Sequence, residues 1–338
     1  MNKKLLLVLF LMFVLAIPTF SAFAAPAQIK IGFLVKMPEE LWFQQEWFFA
    51  QKCAKDFGFE VLTIGTTNAE QVFAAIDTLA AKRAQGFVIC TPDVRLGPAI
   101  MARANAKKLK VFTVDDQFIG ADGKFMKVPY MGLSARNIGM DVGKALYAEF
   151  KKRGWKADET AAAAITFDEL NTVKERTDGS TAALVAAGFP ADQIYRAAEK
   201  TTDVPGSMEA GSALLSQHPE VKKWLVFSVN EEGVIGTIRA MEGRGFNADS
   251  IIGIGIGAGI GINEFLKEKP TGFFGTSAIS PYRHGYETTK FLYDWIKSNK
   301  KPPMDTRTSG FICTRENYKE VMEKIGLGDV LKNLQNKK

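Results

Sequence analysis

The stretch QIKIGFLVKMPEELWFQQEWFFAQKCAKDFG, residues 28–58, decides the fold. Its first part, QIKIGFLVK, is a short apolar run of the kind that forms a buried strand. From Leu41 onward, apolar residues recur at the spacing of one helix face, and the pattern stops at Gly58. A strand running directly into a helix is the repeating unit of α/β proteins. The corner between the two is odd for a core element. Lys36, Glu39, Glu40, Trp42 and Phe43 bring both signs of charge and two aromatic rings to one strand end.

Outward from this unit the alternation continues. FEVLTIG, GFVICT and LKVFTVDD read as strands, with helices over NAEQVFAAIDTLAAKRAQ and from Asp93 to about Lys107 between them. Asn68 is a candidate N-cap for the first of these helices. A loop, QFIGADGKFMKVP, leads to a helix from about Ser134 to Arg153. The series then restarts with ETAAAAITF, QIYRAAE, KKWLVFSV, SIIGIGIG and TGFFGTSA as strands, separated by helices and closed by the helix HGYETTKFLYDWIKSN. Continuously apolar strands separated by helices predict parallel sheets covered on both faces. Two successive series predict two doubly wound, Rossmann-like α/β lobes. No low-complexity linker separates them, so the lobes are expected to be closely tied.

The first residues set the compartment. MNKK is basic, the following run is apolar, and Ala22-Phe23-Ala24 has the small-x-small pattern of a cleavage site, which together read as a secretory signal cut after Ala24. Of 338 residues, about 314 would remain, enough for two domains. The formal net charge is +6. The Lys and Arg residues are scattered among acids along the helices, with no basic stripe for nucleic acid. Cys53, Cys90 and Cys313 have no metal or CxxC spacing, and an odd number leaves at least one thiol free. Only two histidines occur, His218 and His284, which argues against a His-based metal centre or catalytic triad. No cofactor is expected.

Ligands of doubly wound folds bind at the carboxyl ends of the strands, and there the chain places Lys36, Glu40, Trp42, Phe43, Asp115, Asp116, Thr172, Arg176 and Asn230. Each has a plainer reading. Lys36 and Glu40 would make a surface pair worth under about 1 kcal/mol, Asp115-Asp116 a turn, and Asn230 the cap of the next helix. Trp42 and Phe43 would be core residues, and Arg176 a solvated cation. Their coincidence at strand ends of both lobes favours a ligand. Carboxylates, amide and guanidinium bind adjacent hydroxyls in pairs, and an aromatic ring covers the apolar face of a sugar. A phosphate site would instead want an excess of Arg and Lys at a glycine-rich helix start.

The blocks IKIGFLVKMPEELWFQQEW, GFVICTPDVRLGPAI, VFTVDDQF, AITFDELNTVKERTDGS, AALVAAGFPADQIY, QHPEVKKWL and IIGIGI resemble the L-arabinose-binding family of type I periplasmic binding proteins, the sugar-binding components of ABC importers. The resemblance runs from about residue 29 to 327. It implies two lobes joined by a three-segment hinge, with a monosaccharide in the interlobe cleft. The lobes would comprise 25–132 plus 281–308 and 133–280 plus 309–338, with crossings near 131–135, 278–282 and 307–311. It further implies that Lys36, Glu40, Asp116 and Asn230 hydrogen-bond sugar hydroxyls and that Arg176 reaches the ring oxygen. Trp42 would stack on the sugar with Phe43 beside it, and Asp115, Leu170 and Thr172 would line or support the site. The resemblance also departs in three places. Gly257 stands where the family has an Asn sugar ligand, Leu133 where it has a pocket Met, and Ile279 where it has a hinge Pro. Loss of the Asn would leave a sugar hydroxyl unpaired at about 1–3 kcal/mol unless water or a different epimer compensates.

The expected function is thus a non-enzymatic periplasmic receptor that binds L-arabinose, or D-galactose or a related sugar, by hinge closure. It would act as a monomer and deliver the sugar to an ABC permease and ATPase complex. The alternatives are a sugar receptor for a chemoreceptor or sensor kinase, and a secreted carbohydrate-active enzyme using Glu40 and Asp116 as paired carboxylates. Lys36 and Arg176 argue against the enzyme by keeping both acids ionised. The run GIGIGA, Gly253 to Ala258, matches a dinucleotide-binding pattern but lies late in the second series with no acid ending the next strand. Its glycines are expected to let backbone pass close to the cleft or hinge.

Overall fold

Two six-stranded sheets make up the computed structural model, which describes residues 28–335. The signal sequence read at the N-terminus lies outside the described residues.

The quoted stretch forms β1 (Lys30–Val35), buried along nearly its whole length, and α1 (Leu41–Phe57), which ends on Gly58 in the left-handed conformation. After it come β2 (Glu60–Gly65), α2 (Ala69–Ala81), β3 (Gly86–Ile89), α3 (Gly97–Ala106), β4 (Lys110–Val114) and β5 (Tyr130–Leu133). Asn68 caps α2 as expected, its side chain accepting from the Gln71 N–H at 3.0 Å. The helix expected from Asp93 starts with a tight 3-10 turn at Val94–Leu96 that Asp93 caps, and α3 begins only at Gly97.

The chain then enters the second sheet through α4 (Ala135–Lys152), β6 (Thr160–Thr166), α5 (Asn171–Ala186), β7 (Ile194–Ala198), α6 (Val204–Gln217) and β8 (Lys223–Phe227). It continues with α7 (Glu231–Glu242), β9 (Ile251–Gly257), α8 (Gly261–Phe265) and β10 (Phe273–Ala278). A π-helical turn, Arg283–Glu287, leads into α9 (Thr288–Ser298), which packs back on the first sheet. β11 (Asp305–Thr308) joins the first sheet and β12 (Phe311–Thr314) the second, before α10 (Tyr318–Lys324) and α11 (Gly328–Gln335).

The strand orders are β11-β5-β4-β3-β1-β2 and β12-β10-β9-β8-β6-β7. All pairings are parallel except β10 with β12. In each sheet the order reverses beside the first strand of its series, between β1 and β3 and between β6 and β8. Crevices for ligands open at the carboxyl ends of strands at such reversals. The chain passes between sheets three times, after β5, after β10 and between β11 and β12.

One helix contact fixes the second lobe's side of the crevice. α4 and α5 approach so closely that a Cβ at Gly139 would lie 1.9 Å from the Arg176 carbonyl oxygen, and one at Gly143 would lie 2.3 Å from that of Ser180. The Ser180 hydroxyl completes the contact by donating to the carbonyls of Gly139 (2.9 Å) and Arg176 (3.0 Å). Glycine four residues apart on α4 therefore sets where Arg176 stands. The GIGIGA run covers most of strand β9 and the residue after it, and its first two glycines serve helix packing. A Cβ at Gly253 would strike Ile238 and Val234, and one at Gly255 the backbone of Glu231. They let α7 close on the sheet.

Candidate functional site

The first lobe contributes the ends of β1, β3 and β4. Lys36, directly after β1, ion-pairs with Asp116, two residues beyond β4, and their side chains are 18% and 13% exposed. Burial opposes the Lys36 charge, but Cys90, Asp116 and Asp115 outweigh it and hold the ammonium more firmly protonated than usual. The Cys90 thiol lies 3.6 Å from the same Asp116 oxygen.

Asp115 adopts a left-handed backbone, φ +61°, which costs a non-glycine residue about 1–3 kcal/mol and persists only where neighbours enforce it. The enforcement is visible. The Tyr130 hydroxyl donates to the Asp115 carbonyl at 2.8 Å, and Trp42 Nε1 donates to Asp115 Oδ2 at 3.2 Å. His284 Nδ1 lies 2.7 Å from Oδ1, while its Nε2 meets the Thr308 hydroxyl at 2.8 Å. Burial disfavours the Asp115 charge, yet the hydrogen bond and charge of His284, the Trp42 N–H and Lys36 together hold its carboxyl below the usual range. Trp42 stands edge-on to the His284 ring, with centroids 5.1 Å apart. It packs against the cores of both lobes.

The second lobe answers with Arg176, Asn230 and the end of β9. Arg176 Nη1 donates to the Val229 carbonyl at 2.7 Å, whereas its Nε is buried with no partner among the described residues. Burial lowers the pKa of this guanidinium, and Asp115 and Asp116 of the opposite lobe counteract it. Asn230 caps α7, its Oδ1 accepting from Gly233 N at 2.8 Å and its Nδ2 donating to the Thr202 carbonyl at 2.7 Å. One N–H and one lone pair of the amide remain for a ligand.

At Gly257 the space beside the backbone is filled by a neighbour. A Cβ there would lie 2.9 Å from Glu231 Cδ. Glu231 is buried, and its Oε2 accepts from the backbone N–H groups of Gly259 (3.0 Å) and Gly261 (2.9 Å). Burial raises its pKa against these donors. Gly259 in turn reaches the other lobe, since a Cβ on it would lie 2.9 Å from Leu41. Gly257→Asn alone is therefore expected to destabilise the protein by about 1–3 kcal/mol through overpacking. Shortening Glu231 to Ala in the same chain should return part of that loss, seen as a partial recovery of the urea midpoint. Equal midpoints for wild type and Gly257→Asn would show that the Glu231 side chain does not occupy this space.

The remaining expected residues separate into rim and core. Glu40 stands exposed at the cap position of α1 without a capping hydrogen bond. Lys36 pairs with Asp116 and not with Glu40; partial desolvation by the surrounding protein raises the Glu40 pKa although the residue keeps an exposed face, and Lys36 acts against that rise. Leu170, 40% exposed, and Thr172, exposed, stand at the start of α5. Leu133 is half-buried and packs on the second lobe's core from the end of β5. Phe43 is 4% exposed and lies in the first lobe's core with Ile31, Phe33 and Val35.

Sequence reasoning missed His284, Glu46 and Glu231. The scarcity of histidine argues against a His-based metal centre or catalytic triad and says nothing of a supporting role, and His284 is fully buried beside Asp115. Among the described residues Glu46, Asp115 and His284 bring metal-ligand atom types within 4.8 Å of one another. The 2.7 Å between His284 and Asp115 is a hydrogen bond, shorter than the roughly 3.3 Å that two ligands of a tetrahedral zinc require. All three cysteines are free and buried, with Cys53 in α1 and Cys313 in β12 on different lobes.

Comparison with known proteins places this geometry among relatives. The family model described as periplasmic binding proteins and sugar binding domain of LacI family matches residues 28–320. The L-arabinose-binding periplasmic protein of Escherichia coli (strain K12) is 49% identical over 307 residues, 90% of this chain and 93% of that protein. An ABC transporter L-arabinose-binding periplasmic protein of Azospirillum brasilense is 50% identical over 305 residues, covering 90% and 91%. Among solved structures, an ABC transporter periplasmic solute-binding protein of Actinobacillus succinogenes with bound D-allose superposes with a TM-score of 0.74 at 17% identity, over 87% of this chain and 100% of that one. At that identity the likeness concerns the fold.

Proposed function

The chain belongs to the family of periplasmic binding proteins and LacI-type sugar-binding domains, and from that premise we propose that it is the solute-binding component of an ABC importer for L-arabinose. The observation that carries the reading is Arg176, whose buried Nε lacks a partner among the described residues and whose charge is felt by Asp115 and Asp116 across the crevice. A buried donor without an acceptor costs about 1–3 kcal/mol, which a sugar oxygen would recover. In this reading Lys36, Asp116, Glu40 and Asn230 take the hydroxyls, and Trp42 covers the apolar face. Leu133, Leu170 and Thr172 line the rim, while Asp115 acts by holding Trp42. Phe43 supports from the core, and Gly257 with Glu231 shapes the far wall.

The lobes 25–132 plus 281–308 and 133–280 plus 309–338 would close about the three crossings. A ligand that touches both favours the closed state by differential contact. The closed form would be read by a permease and ATPase complex in the membrane, after export by a signal peptide cut after Ala24. No catalytic step is assigned. Thermal unfolding of the mature protein with L-arabinose, D-galactose, D-xylose and D-ribose tests the proposal. A ligand at 100 times its dissociation constant adds about 2.7 kcal/mol. Stabilisation by L-arabinose or D-galactose is expected. Another sugar acting alone would move the specificity, and silence from every sugar would overturn the reading.

A further inference from the structure

Behind Trp42 lies a buried carboxyl that the sugar reading does not use. Glu46, one turn further along α1, is 0% exposed, and among the described residues no N–H or O–H donor reaches either of its carboxyl oxygens, while Asp115 lies within 4.8 Å. Its Oε1 is 3.7 Å from His284 Nδ1, but that nitrogen is committed to Asp115 at 2.7 Å. An ionised Asp115 only accepts, so Nδ1 carries the proton and points it at Asp115. The other titratable or charged groups facing Glu46 are Lys36 from the end of β1, Cys90 from the end of β3 and Asp116 from the end of β4, and Lys36 is paired with Asp116. A carboxylate at Glu46 would therefore be buried beside two other acids without a donor of its own, a state that proteins avoid by keeping the proton.

We propose that Glu46 is held as the neutral acid and donates its proton to Asp115, so that the two carboxyls share one proton behind the indole of Trp42. Burial and the charge of Asp115 act in the same direction on Glu46, raising its pKa. With Glu46 the Asp115 carboxylate collects three donors, the others being Trp42 Nε1 and His284 Nδ1. Glu46 is then a positioning residue. It fixes the strained Asp115, which fixes Trp42, and through His284 the same cluster touches Thr308, whose carbonyl accepts from Ser134 N at 2.8 Å where the chain leaves β5.

The test is the melting temperature of the unliganded protein from pH 4.5 to 8.5, for wild type and Glu46→Gln. A carboxyl whose pKa is raised on folding stabilises fully below its unfolded value, and that contribution is lost as pH rises toward the folded value. Glutamine does not titrate, so its folding equilibrium should gain on the wild type by up to tenfold per pH unit across this window. Glu199, pushed up to about 8, and Glu232, to about 7, both by burial, tilt both curves alike, so the difference between them is the readout. Parallel curves would overturn the proposal. Should Glu46→Gln not fold, the carboxyl-carbon shift of Glu46 in wild-type protein reads the same charge. A neutral acid at pH 7 supports the proposal, and a titration in the ordinary glutamate range overturns it. Stabilisation by Zn²⁺ alone would also overturn it, by making the cluster a metal site.

The positioning role rests on the sugar reading. There, Glu46→Ala should weaken L-arabinose binding at least about tenfold, and Glu46→Gln, which still offers an N–H to Asp115, should restore most of it. Equal losses would reduce Glu46 to packing. The pH curves need no sugar, so a failure of the sugar reading would leave them standing.

Discussion

Trp42→Ala is expected to weaken L-arabinose binding by at least about 30-fold, roughly 2 kcal/mol, as aromatic anchors at the centre of an interface do. Three losses act together. The sugar's apolar face loses its cover, Asp115 loses the donor at 3.2 Å, and the indole no longer touches the cores of both lobes. Trp42→Phe separates them, because it keeps a ring but not the N–H. It should bind better than Ala and worse than wild type. Isothermal titration of the three proteins decides the matter. Wild-type affinity in Trp42→Ala would remove the residue from the site.

Gly139→Val should have the largest effect on stability. Even the Cβ would meet the Arg176 carbonyl oxygen at 1.9 Å, and that oxygen belongs to a helix backbone that cannot turn aside. Overpacking of this kind costs about 3 kcal/mol or more when α5 must move as a unit. Because the displaced residue is Arg176 itself, sugar affinity should fall with stability. Urea unfolding and sugar titration on the same protein report the two. An unchanged urea midpoint would mean that the helices do not touch here. Intact affinity in a destabilised protein would mean that Arg176 is placed by something other than this contact.

The architecture was legible wherever an element was long and periodic. β1 and α1 announced themselves by pattern, and Asn68 by its capping chemistry. β5, β11 and β12, four residues each, were not read as strands. Segments such as DTRT and YMGL carry too few residues for a period, and they become strands because an existing sheet edge offers them backbone partners. The candidate site was read from strand ends. Lys36 pairs with Asp116 and Trp42 with Asp115 at the strand ends of the first lobe, Arg176 meets the Val229 carbonyl in the second, and Asn230 serves as the helix cap that its position predicted. What could not be read were partnerships across long separations. Asp115 and His284 stand 169 positions apart, and the space beside Gly257 is taken by a side chain 26 residues earlier. Phe43 looked like its neighbour Trp42 in sequence, yet one step along a helix turns a side chain by about 100° and sends it into the core.

The placement of β11 and β12 has a consequence for the order in which the protein can be made. The first sheet ends on a strand at residues 305–308 and the second on one at 311–314, after all the other strands of both sheets. A ribosome delivers these two edges after every other strand, so neither sheet can be completed until its remaining strands have been made. Until then β5 and β10 each lack an edge partner, and α9, which roofs the first sheet, has not arrived. The order of synthesis thus leaves each sheet with an unpaired edge until its last strand arrives.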